Sequence, residues 1–523
     1  MTRGLPWVVV LTGAVHGLMF SLPGLPSPVA GFLQAGLFGL LWWLLGRQPA
    51  NRVFWLGLLF GIGNFVVGLA WLYISMSRFG GMPGVLAACA VVLLAAYLGL
   101  FGAAALAVGR LFSVWCAGRQ SLSAVNPGPL STALILAASW GLGEIARGYA
   151  LTGFPWLSIG YAQIDTFLGQ LAPFTGVYGV SMATALFAVW IAELLRRGKL
   201  QTSPRLLHVP AIGLLAMAVW ALHLTSWAEP VGKPVSVRLL QGNVPQSLKF
   251  DRARARQAVA DYIAMVAASK ARLTILPETA FTQPLSTLPG SVRISLGHAL
   301  KQSDTILAIG MPMRSTRAQA QANPRIALTN SIASFSPDGE RINRYDKRHL
   351  VPFGEYIPYG FAWFVSLMEI PLGEFGRGSK TQIPLNLDGR QFAFNICYED
   401  LFGEELANHV RQGANVLINV SNIAWFGDSH ALPQHLAISR MRALELARPM
   451  LRATNTGVTA GIDHRGNVFA RLPTYDQGAL DLTVQPTRGT TPFMHLGMLA
   501  PLMLAASLLL IGAGVARVDR IRC

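Results

Sequence analysis

Apolar residues in this 523-residue chain form long unbroken runs before residue 230 and after residue 490, and short alternating or periodic runs in between. Runs of spanning length, about 20 residues, can be read at roughly 6–22, 29–46, 53–73, 83–112, 131–148, 176–195, 209–227 and 494–514. They predict eight transmembrane helices, seven ahead of the intervening block and one behind it. The first run has the charged start of a signal peptide in Arg3, but no small-residue cleavage site follows and a second run comes at once, so a retained helix is expected.

Between 230 and 490 the pattern changes to alternating strands and helices. Apolar, β-branched runs predict strands at 235–240, 273–276, 305–309, 392–396 and 416–420, with a hairpin of 327–335 and 341–345 around the Asp338-Gly339 turn signal. Helical spacing predicts helices over about 252–270, where Val259, Tyr262, Ile263 and Val266 share a face, over about 402–411, and over about 433–447. Such alternation implies a layered α/β domain with sheets covered by helices. The expected division is 1–229 (seven spans), 230–490 (α/β domain) and 491–523 (eighth span and tail).

Composition supports that division. The chain is 52% apolar and 13% charged with mean hydropathy +0.43, whereas soluble chains carry about 25% charged residues. With 26 Phe, 13 Trp and 11 Tyr it is not disordered either. Residues 230–490 hold 28 of the 42 Lys and Arg but 20 of the 25 Asp and Glu, leaving the rest nearly free of carboxylates. The net charge of +17 gives no case for a nucleic-acid partner, because the cations outside the α/β block cluster in loops. With the N-terminus inside, the inner loops and tails receive Arg3, Arg47, Arg52, Arg110, Arg119, Arg196, Arg197, Lys199, Arg205, Arg517, Arg520 and Arg522, and the outer loops only Arg78 and Arg147. This positive-inside bias predicts cytoplasmic termini and an outward-facing α/β block, periplasmic in a bacterium.

Of four cysteines, Cys89, Cys116 and Cys523 fall in the membrane part or its inner side, so Cys397 has no disulfide partner on its own side. A lone thiol in an oxidising compartment is either buried or used. Chemistry in layered α/β domains gathers where strands end, and three predicted strand ends are polar: Leu276-Pro277-Glu278, Tyr345-Asp346-Lys347 and Asn395-Ile396-Cys397. Singly, Glu278 reads as a helix-start carboxylate, Lys347 as a solvated hairpin cation and Cys397 as core filler; the three together point to a carboxylate base, a cation and a thiol nucleophile. Asp428, His430 and His435 fit no standard metal-ligand set. Arg252, Arg254 and Arg256 read as a solvated helix face, and the sequon-like Asn419-Val420-Ser421 as coincidence.

The blocks LPETAF (276–281), DKRHLVPFGEYIP (346–358), NICYED (395–400), SNIAWFGDS (421–429) and RALELARPMLRATNTG (442–457), with Gly153-Phe154-Pro155-Trp156 in the membrane half, resemble the apolipoprotein N-acyltransferase family, a membrane-embedded branch of the nitrilase, or carbon–nitrogen hydrolase, superfamily. The resemblance implies eight spans and an αββα sandwich bearing a Glu–Lys–Cys triad: Glu278 as general base, Lys347 as oxyanion-stabilising cation, Cys397 as nucleophile. Glu355, Tyr398, Glu399 and Trp425 match further functional positions; where the family pattern leads one to expect Trp, this chain has Phe250. The implied reaction needs no cofactor or metal. An acyl chain passes from a phospholipid, phosphatidylethanolamine, to Cys397 as a thioester, then to the N-terminal amine of a diacylglyceryl-cysteine apolipoprotein at the outer face of the bacterial inner membrane. Residues 356–375, rich in aromatic side chains, are expected to form a lid or arm touching lipid. The alternative activity is a membrane-tethered amidase or nitrilase acting on a small C–N substrate.

Overall fold

A computed structural model describes the chain except for residues 1–3, 23, 119–127, 197–207, 250, 323–325, 362, 364–373 and 523. Phe250 and most of the expected lid at 356–375 therefore lie outside the described residues, as do Arg3, Arg119, Arg197, Lys199 and Arg205 of the charge pattern. The chain forms two compact units. One comprises Met1–Ala70, Val85–Ser226 and Leu496–Cys523; the other comprises Trp71–Gly84 and Trp227–His495.

The first unit is helical, with one helix on each of the eight apolar runs: Leu5–Leu18, Ser27–Leu45, Ala50–Gly68, Gly84–Cys116, Pro129–Tyr149, Ala172–Arg196, His208–Ala221 and Leu499–Arg522. Six are long and apolar enough to cross a membrane, whereas Leu5–Leu18 and the His208–Leu224 stretch are shorter than that length. Helix Ala50–Gly68 stops five residues before the expected end of its run, and the next segment turns away through Trp71–Ile74 and a wide turn at Ser75–Phe79. Backbones approach closely where small residues line the contact, as is common between helices in lipid. A Cβ on Gly13 would stand 2.1 Å from Phe60 O, and one on Gly17 would stand 2.2 Å from Asn64 O.

The second unit is an αββα sandwich. Its strands are β1 (Val235–Gln241), β2 (Leu273–Ile275), β3 (Ile306–Arg314), β4 (Leu328–Phe335), β5 (Arg341–Asp346), β6 (Leu385–Leu387), β7 (Arg390–Ile396), β8 (Val416–Ser421), β9 (Met450–Thr454), β10 (Ala460–Ile462), β11 (Val468–Arg471) and β12 (Gly478–Val484). One sheet has the order β12-β1-β2-β3-β4-β5 and the other β11-β10-β9-β8-β7-β6. Three adjacent parallel strands lie in each, β1 to β3 and β7 to β9. Side-chain alternation assigns the faces. Val237, Leu239, Ile275 and Ala308 meet Phe392, Phe394, Ile418 and Leu451 between the sheets. Leu240, Leu307 and Ile309 point the other way, onto Val259, Tyr262 and Leu296 of helices Arg252–Ala267 and Gly290–Ser303. Helices Gly403–Arg411 and Ala431–Leu446 cover the second sheet. Asp251 caps the Arg252–Ala267 helix by accepting from Ala253 N and Arg254 N, and Arg252, Arg254 and Arg256 are exposed on it. The two ends of the domain pair with each other, Glu229–Pro230 running antiparallel to Thr487–Arg488.

Candidate active site

Glu278 follows β2, one of the parallel strands. Its segment stays alongside β3 because Leu276 N donates to Ala308 O (2.9 Å) and Phe281 N to Gly310 O (3.2 Å). Residue 310 has to be glycine for this, since a Cβ there would lie 2.7 Å from Glu278 Cα. Lys347 follows β5 and is held by its N–H on Asn330 O (2.8 Å). Cys397 follows β7 with φ +52°, a left-handed conformation sparsely populated by residues other than glycine. Asn419 Nδ2 donates to Cys397 O (3.1 Å), and His435 Nε2 lies 3.4 Å from the same oxygen. Strand ends of both sheets thus carry the three groups.

The Lys347 ammonium lies 3.3 Å from Glu278 Oε1 and 2.9 Å from Glu355 Oε2, with all three side chains buried. Asn330 Nδ2 bridges the two carboxylates at 2.7 Å from Glu278 Oε1 and 2.6 Å from Glu355 Oε1. Asn422 N donates to Glu278 Oε2 (2.7 Å), and Val351 N to Glu355 Oε2 (2.8 Å).

Burial alone would raise the Glu278 pKa, but Lys347, the Asn422 N–H, Asn330 and Lys249 outweigh it and hold the carboxyl below its ordinary value. Burial would likewise lower Lys347, yet Glu278, Glu355 and Cys397 keep it protonated well above the ordinary lysine range. The Cys397 thiol is pushed up to about 12, by burial first and then by the Glu278 carboxylate, with Lys347 opposing. The resting site therefore holds a neutral thiol, an ionised carboxylate and a fixed ammonium.

Glu399 ties the turn at Cys397 to the loop after Lys347. Its carboxylate accepts from Ile396 N (2.7 Å), Arg348 N (2.7 Å), His349 N (3.1 Å) and Tyr345 OH (2.9 Å). Burial raises its pKa to about 7 against those donors and Lys347. Tyr398 is buried against Phe402 and His349, at ring separations of 5.4 and 5.8 Å. Trp425 sits on the short Ile423–Phe426 turn after Asn422 and meets Phe79 edge-on at 6.4 Å. His435 lies 2.9 Å from Asp400, in a buried cluster with Ser439 and Arg452. Asn419 is buried, donating to Asn395 Oδ1 at 2.6 Å.

Sequence reasoning missed several groups that complete this arrangement. Asn330, inside β4, shows no signal in the pattern. Asn422 was inside a quoted block, but its contribution is a backbone N–H. Lys249 donates to Thr279 Oγ1 (2.7 Å) and stands just before Phe250. Segment Trp71–Gly84, flanked in sequence by two apolar helices, belongs to the α/β unit, where Trp71 Nε1 donates to Gln434 Oε1 (3.2 Å) and its ring lies 4.2 Å from that of Phe426.

The sandwich is that of a nitrilase-type domain, and residues 236–491 match the carbon-nitrogen hydrolase family. Residues 16–190 match the apolipoprotein N-acyltransferase N-terminal domain. The chain is 43% identical over 515 residues to an apolipoprotein N-acyltransferase of Ralstonia nicotianae, covering 97% of this chain and 92% of that one. It is 39% identical over 540 residues to one of Bordetella bronchiseptica, covering 98% and 97%. Among solved structures, a carbon-nitrogen hydrolase from Helicobacter pylori G27 is similar at 13% identity and TM-score 0.36, over 48% of this chain and 89% of that one. The chain belongs to the apolipoprotein N-acyltransferase family and is a membrane protein.

Proposed function

We propose that this protein transfers a fatty acyl chain from a membrane phospholipid, through a thioester on Cys397, to the N-terminal amine of a diacylglyceryl-cysteine apolipoprotein. The observation that carries the reading is one buried ammonium, Lys347, shared by Glu278 and Glu355 and coupled electrostatically to the Cys397 thiol. In the first half-reaction Glu278 takes the thiol proton as sulfur attacks the ester carbonyl. The resulting oxyanion faces Lys347, the fixed ammonium of the site. Collapse breaks the ester C–O bond, Glu278 returns the proton to the leaving oxygen, and a lyso-phospholipid departs. In the second, Glu278 takes a proton from the incoming ammonium, the free amine attacks the thioester, the C–S bond breaks as Glu278 passes that proton to the sulfur, and the nitrogen's remaining extra proton goes to solvent. The kinetic form is ping-pong.

Phosphatidylethanolamine is the proposed donor. The proposed setting is the bacterial inner membrane, crossed by eight spans, with both termini cytoplasmic and the domain of residues 230–490 periplasmic; the placement of Lys and Arg supports it. The amidase reading is not favoured, because similarity to acyltransferases extends over 97% of the chain, the helical part included.

The test is to incubate the purified full chain with acyl-labelled phosphatidylethanolamine and look for hydroxylamine-labile label on Cys397, then add a diacylglyceryl-cysteine peptide. Label that appears and then moves to the peptide as an amide is expected. Absent label, label persisting in Cys397→Ala, or release as free acid despite the peptide would overturn the reading.

A further inference from the structure

A second lysine stands beside the Glu278 segment, outside the group just described. Lys249 is 4% exposed, and its Nζ donates to Thr279 Oγ1 at 2.7 Å and to the main-chain oxygen of Glu278 at 3.4 Å. Burying an ammonium in a protein interior is expensive unless it meets compensating groups. Here those are the hydroxyl and carbonyl of the base's own turn and the Glu278 carboxylate nearby.

The turn needs holding. Thr279 has φ +47°, a left-handed conformation that is an outlier for a β-branched residue. The lysine itself is fixed by the segment that leads to it. Gln246 Oε1 accepts from Asn422 Nδ2 (3.0 Å), Asn422 Oδ1 accepts from Asn455 Nδ2 (3.0 Å), and Val244 N donates to Asn455 Oδ1 (2.9 Å). The same Asn422 gives its backbone N–H to Glu278. Segment 244–249 thus locks onto the second sheet's strand ends and reaches back with Lys249 to the first sheet's base.

We propose that Lys249 is a positioning residue for Glu278, fixing the left-handed Thr279 turn through the hydroxyl and holding a second cation near the carboxyl. This rests on Glu278 being the general base. The charged or titratable groups facing that carboxylate are Lys347, Lys249 and Cys397, with Glu355 across Lys347 and Asn330. Burial pulls Lys249 down to about 7 with Glu278 opposing, so the amine is charged across the acidic range in which Glu278 titrates.

The test measures single-turnover acylation of Cys397 by labelled phosphatidylethanolamine against pH, in the full chain and in Lys249→Met, Lys249→Arg and Thr279→Val. Loss of positioning should slow Lys249→Met about 10- to 100-fold, with the half-saturating phospholipid concentration within about twofold of wild type. Its acid limb should move to higher pH, because the charge that favours ionised Glu278 is gone. Lys249→Arg should keep the wild-type acid limb. Thr279→Val should be slower with its acid limb unmoved, since only the hydrogen bond is lost. An unmoved limb in Lys249→Met, or Lys249→Arg titrating like Lys249→Met, overturns the proposal. If Lys249→Met fails to fold, Thr279→Val at wild-type rate overturns it instead. Glu278→Gln separates the two readings: full activity there removes the base assignment itself, whereas a dead Glu278→Gln with a wild-type Lys249→Met profile removes only the role of Lys249.

Discussion

The two units bury charge in different ways. In the helical unit each buried charge is absorbed where it stands. Glu193 accepts from Trp42 Nε1 (2.8 Å) on another helix and pairs with Arg196 one turn on. Glu144 Oε1 accepts from Trp140 Nε1 and Ile159 N, both at 3.0 Å, and Arg147 donates to Phe154 O and Ser158 Oγ, each at 3.0 Å. The α/β unit holds buried pairs of that kind too, such as Arg442 with Glu445, but at one place Glu278 and Glu355 share a single ammonium, Lys347, that is coupled electrostatically to the Cys397 thiol. Desolvation penalises all of these groups. Spread out, they hold helices together; concentrated, they leave an ionised carboxylate and a cation coupled to a neutral thiol, the distribution that the proposed acyl transfer needs.

The sharpest test of that contrast is Cys397→Ser, which should reduce acyl-enzyme formation and turnover to background, measured by label on residue 397 and by amide product. Glu278→Gln should come next, with a loss of about 10²–10⁴-fold. In the wild type, the Glu278 carboxyl sits below its ordinary value, so activity should persist above that pKa and fall as pH drops through it. With the thiol pushed up to about 12, no limb should appear in the ordinary thiol range. A limb there would mean that the resting thiol is not held neutral. Lys347→Met should slow acylation about 10²–10³-fold, close to 3–4 kcal/mol of barrier, with phospholipid half-saturation little changed; a wild-type rate would dissociate the ammonium from the oxyanion.

The smallest effect belongs to the helical unit. Glu193→Gln should destabilise it by about 1–3 kcal/mol, read as a lower melting temperature in detergent. Single-turnover acylation per folded molecule should stay at the wild-type rate. A catalytic loss as large as that of Glu278→Gln would erase the distinction between the units.

Much of the fold is legible because periodicity reports on burial. Single apolar runs mark the eight longer helices of the first unit among the described residues, and the strand patterns at 235–240, 392–396 and 416–420 correspond to β1, β7 and β8. The ends were harder to read. Helix Leu5–Leu18 stops short of 22 and Ala50–Gly68 short of 73, because hydropathy averages over a window while a helix ends at a local backbone event. Strands β6 and β9 to β12 carry no clear signal in the pattern: β6 and β10 have three residues each, β9 has Arg452 at its centre, and β11 and most of β12 are only partly buried. At the site, Glu278, Lys347 and Cys397 stand out as polar or reactive residues ending predicted strands. Asn330, Asn422 and Lys249 do not, because an interior amide, a backbone N–H and a lysine beside a turn look ordinary until distant strands meet.

The sequence alone settled what must be dry and what must be wet: where the apolar runs lie, where the carboxylates return, and which polar groups end strands. Those are local properties, set by each residue's preference for water and by the two- and 3.6-residue periods of the backbone. Only the tertiary structure decided that residues 278 and 355 share the ammonium of Lys347, that Asn422, following a strand of the second sheet, reaches a carboxylate of the first, and that 71–84 joins the α/β unit. Such pairings depend on how strands far apart in the chain are ordered in their sheets, and no local period encodes that order.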